Sequence, residues 1–254
     1  MTFSPGPSRL THFRKLHKKK YRDEFSEFIV ENPLIVRDAL TLGSIPREVF
    51  ISKSFKKNYE DLVILVQQKM SSSVYELEDR ALEGLATLEQ PQGIIAIYNK
   101  QDDIVDDTQP IVFLNGVADP TNVGAIMRSS AAFGIATIIT DEFSADPYNP
   151  KAVSAAKESL FSLHVARKTM SFFDSIKKRM PLISLEAHTG VPLESFTWPK
   201  LFCLVVGSEA HGIDNRIKPL ITTKLTIQSD TQKIESLNVG VATAIALHAS
   251  YKKK

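Results

Sequence analysis

Apolar and polar positions divide this chain into two stretches of different rhythm. In the first, Phe28-Ile29-Val30 reads as a strand, Pro33 to Leu42 as a helix stopped by Gly43, Glu48 to Ser52 as a strand and Tyr59 to Met70 as an amphipathic helix. Val74 to Leu77 and Gly93 to Tyr98 supply further strands, so a small α/β sandwich of roughly eighty residues is predicted. The segment Lys100 to Pro110 (KQDDIVDDTQP) interrupts the pattern, because its aspartates and terminal proline oppose both helix and strand. It marks the junction between two domains.

Beyond the junction, short strands alternate with helices. Strands are expected at Ile111 to Leu114, Ala136 to Ile139, Leu182 to Leu185, Phe202 to Val206 and Leu225 to Ile227, and helices at Val123 to Phe133, Phe172 to Arg179 and Val239 to His248. Runs such as Ile111-Val112-Phe113-Leu114 carry no polar face, which fits strands covered on both sides, and the alternation predicts a mostly parallel sheet. Ligands of such sheets bind beyond the carboxyl ends of the strands. Three polar loops lie there: Asn115 to Asn122, Gly207 to Gly212 and Gln228 to Asn238. Gly240, Ala242, Ala244 and Ala246 leave little bulk on the last helix, which permits close approach of another backbone.

Composition changes this picture little. The 254 residues, 43% hydrophobic and 24% charged, describe a globular chain able to bury a sizeable core. No apolar stretch approaches the roughly 18 to 20 residues of a membrane span, and the start lacks a signal-peptide apolar core, which predicts a cytoplasmic protein that avoids the membrane. The single Cys203, between Phe202 and Leu204, reads as a small buried hydrophobe. Charge is more telling. The net +2 hides a start crowded with Arg9, Arg14, Lys15, Lys18, Lys19, Lys20 and Arg22 against Asp23 and Glu24, and an end at Lys252 to Lys254. Basic ends on an acidic body suit a polyanion, because Lys and Arg gain by displacing counterions from phosphates, while the same charges would also serve as solubilising tails.

The three polar loops carry a family resemblance. Asp119-Pro120-Thr121-Asn122-Val123-Gly124-Ala125-Ile126-Met127-Arg128, Gly207-Ser208-Glu209-Ala210-His211-Gly212-Ile213 and Glu235-Ser236-Leu237-Asn238-Val239 resemble, in order and spacing, the three motifs of the SpoU/TrmH RNA 2′-O-ribose methyltransferases of the SPOUT superfamily. The likeness covers about Gln109 to Tyr251. Phe28 to Tyr98, with Phe28-Ile29-Val30-Glu31 followed by Leu34 to Leu40, resembles the ribosomal-protein-like substrate-binding domain that such enzymes often carry. The domains expected are a basic extension over 1–20, an RNA substrate-binding domain over 21–100, a linker over 101–110 and a methyltransferase domain over 111–254. For the last, the resemblance implies a deep trefoil knot, a site for S-adenosyl-L-methionine and a homodimer, none of which periodicity would suggest.

Ribose methylation requires the poorly acidic 2′-hydroxyl to lose its proton as it attacks the sulfonium methyl, so a base or strong charge stabilisation is expected. The resemblance makes Arg128 the candidate base or oxyanion stabiliser, with Asn122, read as the cap of its helix, positioning the ribose or Arg128. A guanidinium is a very weak base, so electrostatic stabilisation is the easier role. Gly207 marks a turn where backbone approaches a ligand closely. Glu209 is expected to hold a cofactor amino group, a ribose or a neighbouring catalytic group, and His211 to be a loop residue. Ile227 and Leu237 would flank the adenine, while Ser236 and Asn238 fix the turn or contact the ribose.

Two departures from the family pattern stand out. Gln228 replaces a common proline and Gln228 to Glu235 lacks the usual glycine; Glu158 occupies a position where relatives commonly have glycine. No spacing implies a metal, Ser236 lacks a His/Asp constellation for hydrolysis, and Gly207 to Gly212 lacks a P-loop ending. Ribosomal RNA is the expected substrate and transfer RNA the alternative within the class. A non-catalytic RNA-binding assembly factor that kept the fold is the alternative outside it.

Overall fold

A computed structural model describes residues 4–70, 73–101, 103–230 and 236–251. The chain divides into two compact units: residues 1–100 with 148–161, and residues 101–147 with 162–254.

The first unit opens with two helices, α1 (Pro7–Lys15) and α2 (Lys19–Phe25). Then come β1 (Glu27–Val30), α3 (Pro33–Thr41), β2 (Glu48–Ser52), α4 (Lys53–Asn58), α5 (Glu60–Lys69), β3 (Val74–Leu77), α6 (Asp79–Glu83) and β4 (Ile94–Asn99). Its sheet runs β1-β4-β2-β3, antiparallel except for the β2/β3 pair. Within the expected extension over 1–20, the described residues 4–20 are therefore an integral part of this unit. Phe13 and Leu16, both fully buried, join Ile29, Phe50, Leu82 and Ile95 in one core, and buried Arg22 donates to the carbonyls of Leu16 and His17. Phe13 and Leu16, three residues apart, with Leu10 packed against the same core, dock a helix that also carries Arg9, Arg14 and Lys15. The expected helix Tyr59 to Met70 is α5, with Tyr59 and Met70 as its caps, and the short α4 precedes it as a helix the pattern did not predict.

The second unit contains β5 (Ile111–Asn115), α7 (Pro120–Ala132) and β6 (Thr137–Thr140). After β6 the chain returns to the first unit through α8 (Pro150–Ala156) and a 3₁₀ turn, Lys157–Phe161, a correction to the domain boundaries expected from sequence. The physical reason is aromatic: Tyr148 and Phe161 pack with Phe28 and Tyr98, at ring separations of 4.9 Å for Phe28–Tyr148 and 4.8 Å for Tyr98–Phe161. Between α8 and that turn the left-handed φ of +58° belongs to Lys157, the residue before the unusual Glu158. The second unit resumes with β7 (His164–Arg167), α9 (Phe172–Ile176), β8 (Leu182–Glu186), β9 (Val191–Pro192), β10 (Cys203–Gly207), β11 (Thr223–Thr226) and α10 (Val239–Ser250).

These strands form a seven-stranded sheet, order β7-β6-β5-β10-β8-β11-β9, in which every pair is parallel. The continuous apolar runs explain why. Ile111 to Leu114 and Leu204 to Val206 are buried throughout, so both faces of the sheet need a covering layer. Phe113, Phe173, Ile176, Val205 and Ile217 lie in one of its cores. The α/β class with a parallel sheet is as expected. Among the described residues no helix is long and apolar enough to cross a membrane.

Candidate active site

The β5 strand ends at Asn115, paired in register with Gly207 of β10, so the first two polar loops leave the sheet side by side. Asn115 ties them together. Its Nδ2 donates to Asp141 at 2.8 Å and its Oδ1 accepts from the Asp214 amide at 2.7 Å. Asp141 also receives the amides of Gly116 and Ser144 and the Ser144 hydroxyl, which stiffens the base of the site.

Helix α7 begins earlier than Asn122 allows. Asp119 is its N-cap, accepting from Thr121 N at 2.7 Å, and Pro120 occupies the first turn, where a missing N–H costs nothing. Asn122 is thus corrected from a cap to a first-turn residue with its side chain free for other bonds. Gly134, with φ of +76°, follows the helix end, as expected for a terminating glycine.

The β10 strand runs into a tight turn, with Ser208 N donating to Gly212 O at 3.0 Å and Gly212 N to Ser208 O at 2.8 Å. Ser208 Oγ accepts the amides of Ala210 and His211, leaving exposed His211 a loop residue. Gly207 is required here: a Cβ on it would fall 2.7 Å from Gly212 O, far inside van der Waals contact. The turn holds Glu209 outward from the strand end.

Helix α10 is capped by Asn238, whose Oδ1 accepts from Gly240 N at 2.9 Å and Val241 N at 3.2 Å. It lies beside α7 in the same direction. A Cβ added to Gly240 would sit 3.4 Å from Ala125 Cβ, and Phe133 meets His248 and Tyr251 at the far end. The small residues on the last helix therefore serve the close approach read from sequence.

The two helix starts and the turn meet at one carboxylate. Glu209 Oε1 accepts from Asn122 Nδ2 at 3.2 Å, Asn238 Nδ2 at 3.0 Å and Val239 N at 3.2 Å, while Asn238 Nδ2 also donates to Asn122 Oδ1 at 2.9 Å. A negative charge here faces the positive ends of two helix dipoles. All three motifs are thus locked through side chains far apart in sequence.

Against this joint opens a cavity of about 230 Å³, lined by Leu185 to His188, Val206 to Glu209, Gly212, Ile227, Ser229, Ser236, Leu237, Val239 and Ala242. It lies beyond the carboxyl ends of β8, β10 and β11. Five residues read from sequence line it: Gly207, Glu209, Ile227, Ser236 and Leu237. Asn122 and Asn238 stand behind Glu209. Leu185 to His188 were missed, although they follow a predicted strand and the carboxyl-end rule would have included them.

Arg128 is placed differently. It is exposed on α7, is not among the cavity-lining residues and makes no hydrogen bond or ion pair with a described residue. The motif residues Lys233 to Glu235, most of the divergent loop Gln228 to Glu235 and the terminal Lys252 to Lys254 lie outside the described residues. Lys157 and Glu158 form no ion pair with each other among the described residues. Cys203 is fully buried, and burial pushes its thiol pKa far up, so it packs as a hydrophobe and offers no thiolate. Among the described residues no group of three His, Cys, Asp or Glu side chains gathers as a metal site.

Comparison with known proteins bears on both units. Residues 109–248 match the model of the SpoU rRNA Methylase family, and residues 8–96 match that of the MRM3-like substrate binding domain. The chain is 27% identical over 242 residues to the 23S rRNA (guanosine(2553)-2′-O)-methyltransferase of Bacillus subtilis, covering 94% of each chain. A solved structure from Porphyromonas gingivalis, a candidate RNA methyltransferase of the TrmH family, superposes with a TM-score of 0.83 at 26% identity, covering 97% of this chain and 98% of that one. The AdoMet-bound rRNA methyltransferase of Sinorhizobium meliloti has the same fold, with a TM-score of 0.82 at 23% identity over 98% of this chain and 96% of that one.

Proposed function

The chain belongs to the SpoU rRNA Methylase family, and from that premise we propose that it transfers a methyl group from S-adenosyl-L-methionine to a ribose 2′-hydroxyl of ribosomal RNA. The observation that carries this reading is the joint of Asn122, Glu209 and Asn238 beside a cavity at the carboxyl end of a parallel sheet.

The cavity suits the methyl donor chemically. Leu185, Val206, Ile227 and Leu237 offer apolar faces to an adenine, and the absent side chain of Gly207 lets the Gly212 backbone close the turn that forms one wall. Glu186, Ser208 and Ser236 supply polar atoms for ribose and amino groups. When bound, S-adenosylmethionine supplies an electrophilic methyl on a sulfonium, whose carbon–sulfur bond breaks as the carbon–oxygen bond forms. Glu209 holds the helix starts and keeps Asn122 and Asn238 in register. Arg128 stabilises the developing negative charge on the 2′-oxygen, and the proton leaves to solvent or an RNA phosphate.

The reading includes a trefoil-knotted second unit, a homodimer and action in the cytoplasm. A second copy has a surface to cover: Val241, Ile245 and Tyr251 are 50%, 38% and 48% exposed along α10. A second copy would also give a use to Arg128, which is exposed and is not among the residues lining the chain's own cavity. The Bacillus subtilis relative favours ribosomal over transfer RNA.

The test is methyl transfer from labelled S-adenosylmethionine to purified ribosomal RNA, with the product mapped by ribose-specific cleavage resistance. Incorporation at a 2′-oxygen is expected. Absence of both cofactor binding and incorporation into ribosomal and transfer RNA would instead leave a non-catalytic binding protein.

A further inference from the structure

Seven cations of the first unit stand in ion pairs. Arg9 pairs with Glu48, Arg37 with Asp61, Arg47 with Glu27, Lys53 with Glu78, Lys56 with Glu76, and both Lys19 and Lys100 with Asp23. The corner between α1 and α2 gathers cations outside those pairs. Arg14, Lys15, Lys18 and Lys20 are exposed within seven residues, and none has an ion-pair partner among the described residues. Buried Phe13 and Leu16 anchor this corner, so the charges project from a fixed helical frame and not from a loose tail.

Aromatic surface lies among these charges. The half-buried Tyr21 ring stacks on Phe25 at 5.9 Å and 20°, and Lys15 and Lys20 ammonium groups stand 5.4 and 5.6 Å from its centre. Beside the corner runs an open groove of about 620 Å³, lined by His17, Thr87, Leu88, Glu89, Gln90, Asn149, Pro150 and Lys151. Exposed Lys151 lies on the groove's α8 side and continues the positive charge.

We propose that the α1–α2 corner, Arg14, Lys15, Lys18 and Lys20 with Tyr21, and the groove leading to Lys151 form a track for an RNA backbone. The inference rests on the reading that the substrate is ribosomal RNA, and gives that substrate a docking surface on the first unit. Four cations without an ion-pair partner among the described residues fit a polyanion whose phosphates release counterions, and the partly exposed edge of the Tyr21 ring adds an aromatic contact for an unpaired base. RNA that pairs imperfectly, with loops or bulges, presents both.

The test is binding of the full-length chain to an unmodified large-subunit rRNA transcript across a salt series, with S-adenosylmethionine binding measured in parallel. The variant Arg14→Gln/Lys15→Gln/Lys18→Gln/Lys20→Gln is expected to bind RNA at least tenfold more weakly. Its slope of log affinity against log salt should be smaller by about 3, the sum for four lost phosphate contacts. Cofactor affinity should be unchanged. The charge-preserving variant Arg14→Lys/Lys15→Arg/Lys18→Arg/Lys20→Arg is expected to retain wild-type binding and slope. RNA affinity and slope within twofold of wild type in the glutamine variant would overturn the track. If wild type fails to methylate the transcript but loses RNA affinity through these substitutions, the track stands and the catalytic reading fails.

Discussion

Asn238 reaches Asn122 across 116 residues of sequence, Nδ2 to Oδ1 at 2.9 Å, with Glu209 accepting from both. The pair joins the N-terminal ends of the two parallel-running helices, α7 and α10, whose packing frames the site. Removing the shared acceptor should therefore injure more than one motif. Glu209→Ala leaves the Nδ2 of Asn122, a residue 92% buried, short of an acceptor, a loss of about 1–3 kcal/mol. Thermal melting should fall by several degrees, methyl transfer should drop at least a hundredfold, and cofactor affinity should weaken, since Glu209 lines the cavity. Melting and turnover indistinguishable from wild type would reject the joint.

Gly207→Ala tests the turn itself. The added methyl overlaps the backbone of Gly212, so the Ser208 to Gly212 turn must shift and carry Glu209 with it. Calorimetric titration should show S-adenosylmethionine affinity reduced by tenfold or more, with the helical content of the chain preserved. Gly212→Ala is the comparison: its φ of +63° strains a Cβ, yet nothing stands within 4 Å of it, so its effect should be smaller.

The cavity-lining residues Gly207, Ser236 and Leu237 were legible because their types are unusual where they stand. A glycine ending an apolar strand marks a tight turn, and a Ser-Leu-Asn turn before an alanine-rich helix marks a capped helix start, both at the carboxyl end of the sheet. The parallel sheet was legible for the same local reason, since Ile111 to Leu114 offers no face to water. What escaped depends on long-range contacts. Strand β7 is an edge whose His164 and Arg167 are polar, and α1 hides Phe13 and Leu16 among basic residues. Asn122 was misread as a cap because Asp119-Pro120 already begins the helix, a choice settled by which side chain has a distant partner.

His17 gives the first unit a pH dependence. Burial lowers its pKa below the ordinary 6.5, with Glu31 opposing, and its Nε2 is buried without a partner among the described residues. The folded state thus favours the neutral ring, while the unfolded chain takes up its proton near 6.5. Stability from this group is present above that value and is lost as pH falls from it through the lower folded value. Melting temperature should fall between about pH 7 and 5, and His17→Gln should flatten that fall. An unchanged slope in the variant would show that other groups carry it.

Arg128 should act across a dimer if the exposed face of α10 is where a second copy docks. Arg128→Ala alone should abolish methyl transfer while leaving cofactor binding near normal, because the residue is not among those lining the cavity. The decisive measurement mixes inactive chains. In a two-fold symmetric dimer whose sites each use one chain's cavity and the other chain's Arg128, a heterodimer of Arg128→Ala and Glu209→Ala contains one fully intact site. Equal amounts, dissociated and reassociated at random, should recover about a quarter of wild-type turnover, because half the dimers are mixed and each has one working site. If Arg128 serves its own chain's cavity, neither site of the mixed dimer is complete and no activity returns. Turnover of the remixed sample, with dimer content followed by light scattering, separates the two arrangements without requiring the position of the bound RNA.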